Sequence, residues 1–285
     1  MAQYDASYTA VPEQLPPRKR WPLAAVMLID LVIIVIAVLV LTILIAGVFI
    51  GIRAYQQGGV PLQPGAAASE DQVLRLLGAD GIFMLLLAQN AIFVAVPIIR
   101  IGLLRRERLT EIGLQIRQPL RLIGLGLGLG VVVLIGNVIL GYLFSKIGIE
   151  QNQAAQYPLF QGDYAGQVLF MIGAAVLAPI GEETLFRGYV FNAIRQTFQT
   201  QRWGVALAYL LSAFGFMIAH SLSATQGLIG LLIPTFLMGL VLAWAIHRTG
   251  SLLPGIIAHA LNNSIALALL LVCVNNPGLT ACPKL

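Results

Sequence analysis

The chain has 285 residues, of which 58% are hydrophobic and only 10% are charged, and its mean hydropathy is +0.87. Because about 25% of the residues in soluble domains are charged, this composition excludes a soluble globular protein and indicates a polytopic membrane protein. The net charge of +5 comes from arginines in loops, where they contact lipid headgroups and set the orientation in the bilayer. The sequence has no soluble basic face, so nucleic acid is excluded as a partner.

The chain begins with a polar segment without periodicity, and residues 1–21 are predicted to form a disordered cytoplasmic tail. The apolar run "LVIIVIAVLVLTILIAGVFIGI" (31–52) follows closely. It is too long for the apolar part of a signal peptide, and no small-residue cleavage pattern closes it. This run is therefore interpreted as a signal anchor that forms the first membrane helix.

Seven apolar segments approach the roughly 20 residues that a helix needs to cross a bilayer. We predict an all-α fold, a polytopic bundle of about seven transmembrane helices, with one membrane domain over 22–274 and a short outer tail at 275–285. The predicted helices are 22–52, 81–103, 120–144, 165–192, 203–220, 226–247 and 252–274.

The lysines and arginines of the loops are distributed unevenly along the chain. Twelve of them lie in the N-terminal tail and after helices 2, 4 and 6, whereas four lie in the alternate loops. The positive-inside rule therefore predicts a cytoplasmic N-terminus and, after seven crossings, an outer C-terminus. The expected location is the plasma membrane.

Glycines recur in "GLGLGLG" (124–130), which lacks the GxGxxG spacing of a nucleotide-binding loop. Glycines four residues apart let a neighbouring helix approach closely. Close helix contacts are predicted at Gly124 with Gly128 and at Gly126 with Gly130.

Cys273 and Cys282, the only cysteines, both lie near the C-terminus. Two cysteines are too few for a metal framework. The favoured interpretation is two free or merely structural thiols, and the alternative is a disulfide if this end faces an oxidising compartment.

Ionisable residues interrupt the apolar segment "GEETLFRGYV" (181–190). Each of them costs about 2.5–3.5 kcal/mol at the centre of a membrane helix unless it is paired or solvated. Glu183 and Arg187 are four residues apart and can form an ion pair on one helix face. Glu182 lies about 100° round the helix without a local partner, so it is a candidate general base.

The chain contains three histidines, and two of them lie near Glu182 only if separate helices converge. His220 closes the fifth predicted helix, and His259 lies early in the seventh with Asn263 four residues further on. His247 lies at a cytoplasmic helix end beside an arginine, where a headgroup role is favoured.

Together these side chains could support hydrolysis of a peptide bond. Glu182 and His220 could hold and deprotonate a water molecule, while His259 and Asn263 could donate hydrogen bonds to an oxyanion. The alternative is a divalent metal such as zinc held by Glu182, His220 and His259, although no HExxH motif is present. A serine or cysteine nucleophile has little support, because GxSxG is absent.

Three segments resemble the motifs of the CPBP intramembrane endopeptidases, the CAAX-processing and bacteriocin-immunity (Abi-type) proteins related to the type II CAAX prenyl endopeptidase. They are "APIGEETLFRGYVF", "FGFMIAH" and "SLLPGIIAHALNN", which match EExxxR, FxxxH and HxxxN. The resemblance covers roughly 165–274. It implies a glutamate-type or metal-dependent protease that is open towards the cytoplasm and cleaves a membrane-associated protein or peptide.

The resemblance also implies roles for the residues that match the motifs. Glu182 with His220 would activate water, His259 with Asn263 would stabilise the oxyanion, and Glu183 with Arg187 would orient the site. Two other functions stay open, namely a non-catalytic scaffold or immunity-type binding protein, and a proton-coupled transporter. The transporter is less favoured because the sequence has no inverted repeat.

Overall fold

The structure is a computed structural model, and its description covers most of the chain. Residues 1–20 of the predicted N-terminal tail, and part of the outer tail, lie outside the described residues. The described residues are 21–56, 70–149, 159–221, 227–279 and 282.

Seven helices in the described part of the chain are long and apolar enough to cross a membrane, and no strand occurs there. The predicted all-α bundle is therefore confirmed, and the chain is an integral membrane protein. The helices are α1 (Leu23–Gln56), α2 (Gln72–Leu104), α3 (Pro119–Lys146), α4 (Tyr164–Thr197), α5 (Gly204–Ser221), α6 (Leu228–Thr249) and α7 (Leu253–Asn275).

The second helix begins well before the predicted boundary at residue 81. Helical structure starts at Glu70 and is broken at Gly78, which has φ 63° and ψ 174°. The charged stretch before Gly78 has no membrane-like hydropathy, so the sequence pattern assigned it to a loop. Glycine adopts this left-handed conformation at little steric cost, and the chain turns here before it enters the apolar span.

Helix α4 contains two π-helical segments, Gly173–Leu177 and Glu183–Phe191. The second of these contains all the residues of the acidic motif that follow Glu182. π-helical turns are rare and occur mostly at functional sites. Periodicity did not predict them, because the extra residue is accommodated by contacts with other helices.

Helix α3 packs closely against α7, which leaves little space at two glycines. A Cβ atom on Gly126 would lie 2.8 Å from the Cβ of Ile257, and one on Gly130 would lie 2.8 Å from a Cδ atom of Leu261. The predicted Gly126–Gly130 contact is therefore confirmed. The prediction for Gly124 and Gly128 is wrong, because no described atom outside the local helix lies within 4 Å of a Cβ built there; this face of α3 turns away from the bundle.

A buried polar cluster connects α1 to α2 and α4. Asp30, only 2% exposed, accepts hydrogen bonds from Nε of Arg100 at 2.7 Å and from its Nη2 at 2.5 Å. The hydroxyl of Tyr189, in the second π segment, also donates to Asp30. Arg100 therefore lies within α2, whereas the count of loop lysines and arginines assigned it to the loop after the second helix.

Cys273 and Cys282 form a disulfide in the structure. The favoured sequence interpretation of two unpaired thiols is therefore wrong. The bond joins the last turns of α7 to the segment after it, because the chain folds back after Asn275 and brings the two Cα atoms to 5.4 Å.

Candidate active site

Glu183 and Arg187 form the innermost part of the site. Nη1 of Arg187 donates to Oε1 of Glu183 at 2.9 Å, and both side chains are 0% exposed. The predicted ion pair four residues apart is thus confirmed. The guanidinium also lies 4.1 Å from the centroid of the Phe216 ring, so it gains a cation–π contact. The buried guanidinium of Arg187 therefore lies between the carboxylate of Glu183 and the ring of Phe216.

Glu182 faces the two histidines of the sequence motifs. Its Oε2 atom lies 3.7 Å from Nε2 of His259 and 3.9 Å from Nε2 of His220. The Glu182 side chain is 12% exposed, but its Oε2 atom is buried and has no hydrogen-bond partner among the described residues. Three helices, α4, α5 and α7, therefore bring together three of the four residues in the predicted set, Glu182, His220 and His259.

The other nitrogen of each imidazole is occupied by a hydrogen-bond acceptor. Nδ1 of His220 donates to the carbonyl oxygen of Phe216 at 2.9 Å, and Nδ1 of His259 donates to Oε1 of Glu183 at 3.1 Å. Because these acceptors hold the Nδ1 proton, Nε2 of each neutral ring carries a lone pair. Two basic nitrogens and one carboxylate oxygen thus converge on the same small volume.

Phe216 is the aromatic residue of the FxxxH motif, and it packs against both histidines of the site. Its fully buried ring contacts the ring of His220, with centroids 4.5 Å apart, and the ring of His259, at 5.6 Å. Both contacts have edge-to-face geometry, which aromatic pairs prefer. The phenyl ring therefore fixes both imidazole planes and also covers Arg187.

Asn263 is directed towards the first π segment. Its Nδ2 atom donates to the carbonyl oxygen of Ala174 at 2.9 Å, and its Oδ1 accepts from Nδ2 of Asn262 at 3.2 Å. No hydrogen bond between Asn263 and Glu182, His220 or His259 is present among the described contacts. Asn263 lies one turn beyond His259 on α7, beside the cluster rather than within it.

Two side chains donate hydrogen bonds to backbone carbonyl oxygens of the second π segment. Ser212 on α5 donates to the carbonyl oxygen of Phe186 at 2.8 Å, and Asn192 donates to that of Gly188 at 3.0 Å. A π-helical turn changes the regular hydrogen-bond ladder of a helix. These two donors stabilise the local geometry that places Glu182 and Glu183 on adjacent faces.

His247, for which the sequence favoured a headgroup role, lies outside the cluster, and so does Ser221. His247 shares a hydrogen bond of 2.9 Å with the hydroxyl of Tyr209, and Ser221 donates to the carbonyl oxygen of Ile218 at 2.7 Å. Both contacts are made near helix ends.

Sequence reasoning missed two residues that shape the site. A Cβ atom on Gly255 would lie 3.1 Å from Oε2 of Glu183, so the glycine leaves room for the carboxylate. Asn262 contacts Asn263 directly. The glycine stands four residues before His259 in the third motif, and this spacing alone would have placed it on the same helix face.

The donor atoms at the site are of the kinds that bind zinc, but the distances between them are longer than zinc coordination requires. Two imidazole nitrogens and one carboxylate oxygen are zinc ligands, and an Nδ1–H bonded to a carboxylate is a frequent outer partner. However, bonds of about 2.0–2.1 Å in a tetrahedron place ligands closer together than the 3.7 and 3.9 Å seen here. Among the residues described, no group of three His, Cys, Asp or Glu side chains forms a metal site.

The fold and the cluster define a class of protein, namely a polytopic membrane protein with acid–base groups gathered between its spanning helices. Residues 164–265 match the family of type II CAAX prenyl endopeptidase Rce1-like proteins. This match runs from α4 into α7 and confirms the resemblance seen in the three motifs. The family is one of proteases, and helices α1 to α3 lie outside the matched segment.

A similar protein is an uncharacterised 24.3 kDa protein of Escherichia coli. It is 36% identical over 92 residues, which cover 32% of this chain and 40% of that protein. The alignment therefore spans less than half of either chain. No solved structure matches the chain significantly.

Proposed function

We propose that this protein is an intramembrane endopeptidase of the CAAX type that hydrolyses a peptide bond without a covalent intermediate. The observation that carries this conclusion is the position of Glu182 Oε2, which faces Nε2 of both His220 and His259 within 3.9 Å. A water molecule held by Glu182 Oε2 and Nε2 of His220 would meet two acceptors, one for each of its O–H groups, and this arrangement favours its deprotonation.

Glu182 and His220 together act as the general base of the reaction. As the water oxygen attacks the carbonyl carbon of the substrate, its proton passes to Glu182 or to Nε2 of His220. The C–N bond then breaks, and the same proton is returned to the leaving amine. Atoms and charge balance without a further reactant, since the products are a carboxylic acid and an amine.

His259 and Asn263 stabilise the oxygen that becomes negative in the transition state. His259 can donate from Nε2 only as an imidazolium, because Nδ1 already donates to Glu183. Asn263 contributes an amide N–H, and preorganised donors of this kind usually lower the barrier by several kcal/mol.

Glu183 and Arg187 orient the site rather than contact the substrate. Both are fully buried, and Glu183 bonds Arg187 and His259 through the same oxygen atom. The guanidinium fixes the carboxylate, and the carboxylate fixes the imidazole. This order explains why the motif needs an arginine four residues after the second glutamate.

The substrate is a membrane-associated protein or peptide, and the active site opens towards the cytoplasm. The N-terminus is cytoplasmic and the protein lies in the plasma membrane. The distribution of lysine and arginine supports this orientation, and so does the Cys273–Cys282 disulfide at the other end of α7, because disulfides persist in oxidising compartments.

Cleavage by the purified protein in detergent tests the function. The probes are a farnesylated peptide that ends in a CAAX sequence, its unprenylated counterpart, and a degenerate library of membrane-anchored peptides analysed by mass spectrometry. We expect cleavage of at least one probe by the wild type and loss of cleavage in Glu182→Gln and His220→Ala. Equal cleavage by wild type and both variants, or none by any, would overturn the assignment.

A further inference from the structure

Three asparagine side chains form a hydrogen-bonded chain from α3 through α7 to α4. Asn137 Nδ2 donates to Asn262 Oδ1 at 2.9 Å, and Asn262 Nδ2 donates to Asn263 Oδ1 at 3.2 Å. Asn263 Nδ2 then donates to the carbonyl oxygen of Ala174 at 2.9 Å. We call Asn137, Asn262 and Asn263 the amide chain; all three are half-buried.

The direction of the amide chain is set at one end. A backbone carbonyl oxygen can only accept hydrogen bonds, so the group of Asn263 that faces Ala174 must be its NH₂. The Oδ1 atom of Asn263 then faces Asn262, which must donate. The same reasoning applies once more between Asn262 and Asn137. Reversal of any one amide would place two acceptors or two donors against each other.

This polarity has a consequence for the oxyanion donor. Asn263 presents its NH₂ group towards Ala174 of α4, eight residues before Glu182, and its oxygen towards Asn262. An asparagine amide with the opposite orientation would present an acceptor to a negative charge and oppose the reaction. The NH₂ has two N–H groups, and only one is needed for Ala174.

We propose that Asn262, supported by Asn137, is a positioning residue that fixes the orientation of the Asn263 amide, with its oxygen towards Asn262 and its NH₂ group on the α4 side. The statement rests on the proposed endopeptidase function, in which Asn263 donates to the oxyanion. Asn262 and Asn137 act through Asn263 and contact no substrate. Neither residue falls on a key position of the three motifs.

A purely structural role is the competing explanation, because polar side chains also join membrane helices. The two explanations differ in a double-mutant experiment, since a residue that acts through Asn263 loses its effect when Asn263 is absent. Asn262→Leu removes the donor at similar volume. Asn276→Leu is the matched control, because the side chain of Asn276 bonds only the carbonyl oxygen of Val272, in α7, among the described contacts.

The experiment measures kcat and KM for the most rapidly cleaved probe, together with the melting temperature in detergent. We expect Asn263→Ala to lower kcat roughly 100-fold and Asn262→Leu to lower it roughly tenfold with KM unchanged, because a misdirected donor loses part of its effect. In the Asn263→Ala background, Asn262→Leu should change kcat less than about twofold. Asn276→Leu should cleave like the wild type.

Two results would overturn the inference while the proposed function stands. In one, Asn262→Leu retains wild-type kcat; in the other, it lowers kcat by the same factor whether or not Asn263 is present. If Asn262→Leu does not fold, Asn137→Leu takes its place, with a roughly threefold loss expected only when Asn263 is present. If wild type and Glu182→Gln cleave equally, the proposed function and this inference fall together.

Discussion

Asp30 on α1 and Arg100 at the end of α2 form a two-point ion pair, with N–O distances of 2.7 and 2.5 Å. The hydroxyl of Tyr189 completes the cluster. Tyr189 follows Arg187 by two residues in the second π segment, so α1 is connected to the part of α4 that carries the site. Helix α1 lies outside the segment that matches the protease family, and this cluster is its buried ion-pair attachment to the bundle, beside exposed or partly buried contacts such as Arg53 with Asp80.

We expect Asp30→Ala to destabilise the protein by about 3 kcal/mol, because removal of one partner leaves a poorly solvated charge. The melting temperature in detergent should fall clearly. The triple variant Asp30→Leu, Arg100→Met and Tyr189→Phe should recover most of the loss, since apolar groups of similar size can replace a buried ion pair. Asp80→Ala is the control: Asp80 pairs with Arg53 but is 53% exposed, so its loss should cost at most about 1 kcal/mol. Equal effects of Asp30→Ala and Asp80→Ala would contradict this account.

The space beside Glu183 leads to a second prediction. Gly255→Ala would place a Cβ atom 3.1 Å from Oε2 of Glu183, so the carboxylate must move by a few tenths of an ångström. Because Glu183 holds His259, we expect roughly a tenfold loss of kcat, in line with the sensitivity of rates to small misplacements. The melting temperature should change little, since alanine favours the helix more than glycine does.

Gly124→Ala on α3 is the matched control for the glycine variant. No described atom outside the local helix lies within 4 Å of a Cβ at that position, and full activity is expected. If Gly255→Ala were as active as Gly124→Ala, the space at Gly255 would have no role in the site.

The sequence predicted the helices well because spanning segments are long and their hydropathy is strong. The Glu183–Arg187 pair was also predictable, because both residues lie on one helix and their spacing determines the contact. Asp30 escaped notice, since a single carboxylate barely alters the average of a long apolar run. The hydrogen bonds of the amide chain could not be predicted either, because they depend on how α3 lies against α7. The π segments depend on donors such as Ser212, which comes from another helix.

The disulfide gives a test of membrane orientation that is independent of the charge distribution. We expect a membrane-impermeant reductant followed by an impermeant maleimide to label Cys273 and Cys282 in intact cells, because the bond needs an oxidising compartment. In a Cys273→Ser, Cys282→Ser background, Gln199→Cys should be labelled only after the cells are opened, since Gln199 follows α4 on the side predicted to be cytoplasmic. Labelling of Gln199→Cys in intact cells would reverse the topology.

Metal removal distinguishes the two chemistries that the donor set could support. We expect the purified protein to retain the proposed activity after dialysis against 1,10-phenanthroline, because Glu182 with His220 can deprotonate water unaided. Added zinc should inhibit, since the ion would occupy Glu182 and both Nε2 atoms, the groups that otherwise activate water and stabilise the oxyanion. The inhibition should weaken in His259→Ala, which lacks one of these ligands. Activity that is lost on dialysis and restored by one equivalent of zinc would show that the carboxylate and the imidazoles serve as ligands, and the roles proposed for His220 and His259 would then be wrong.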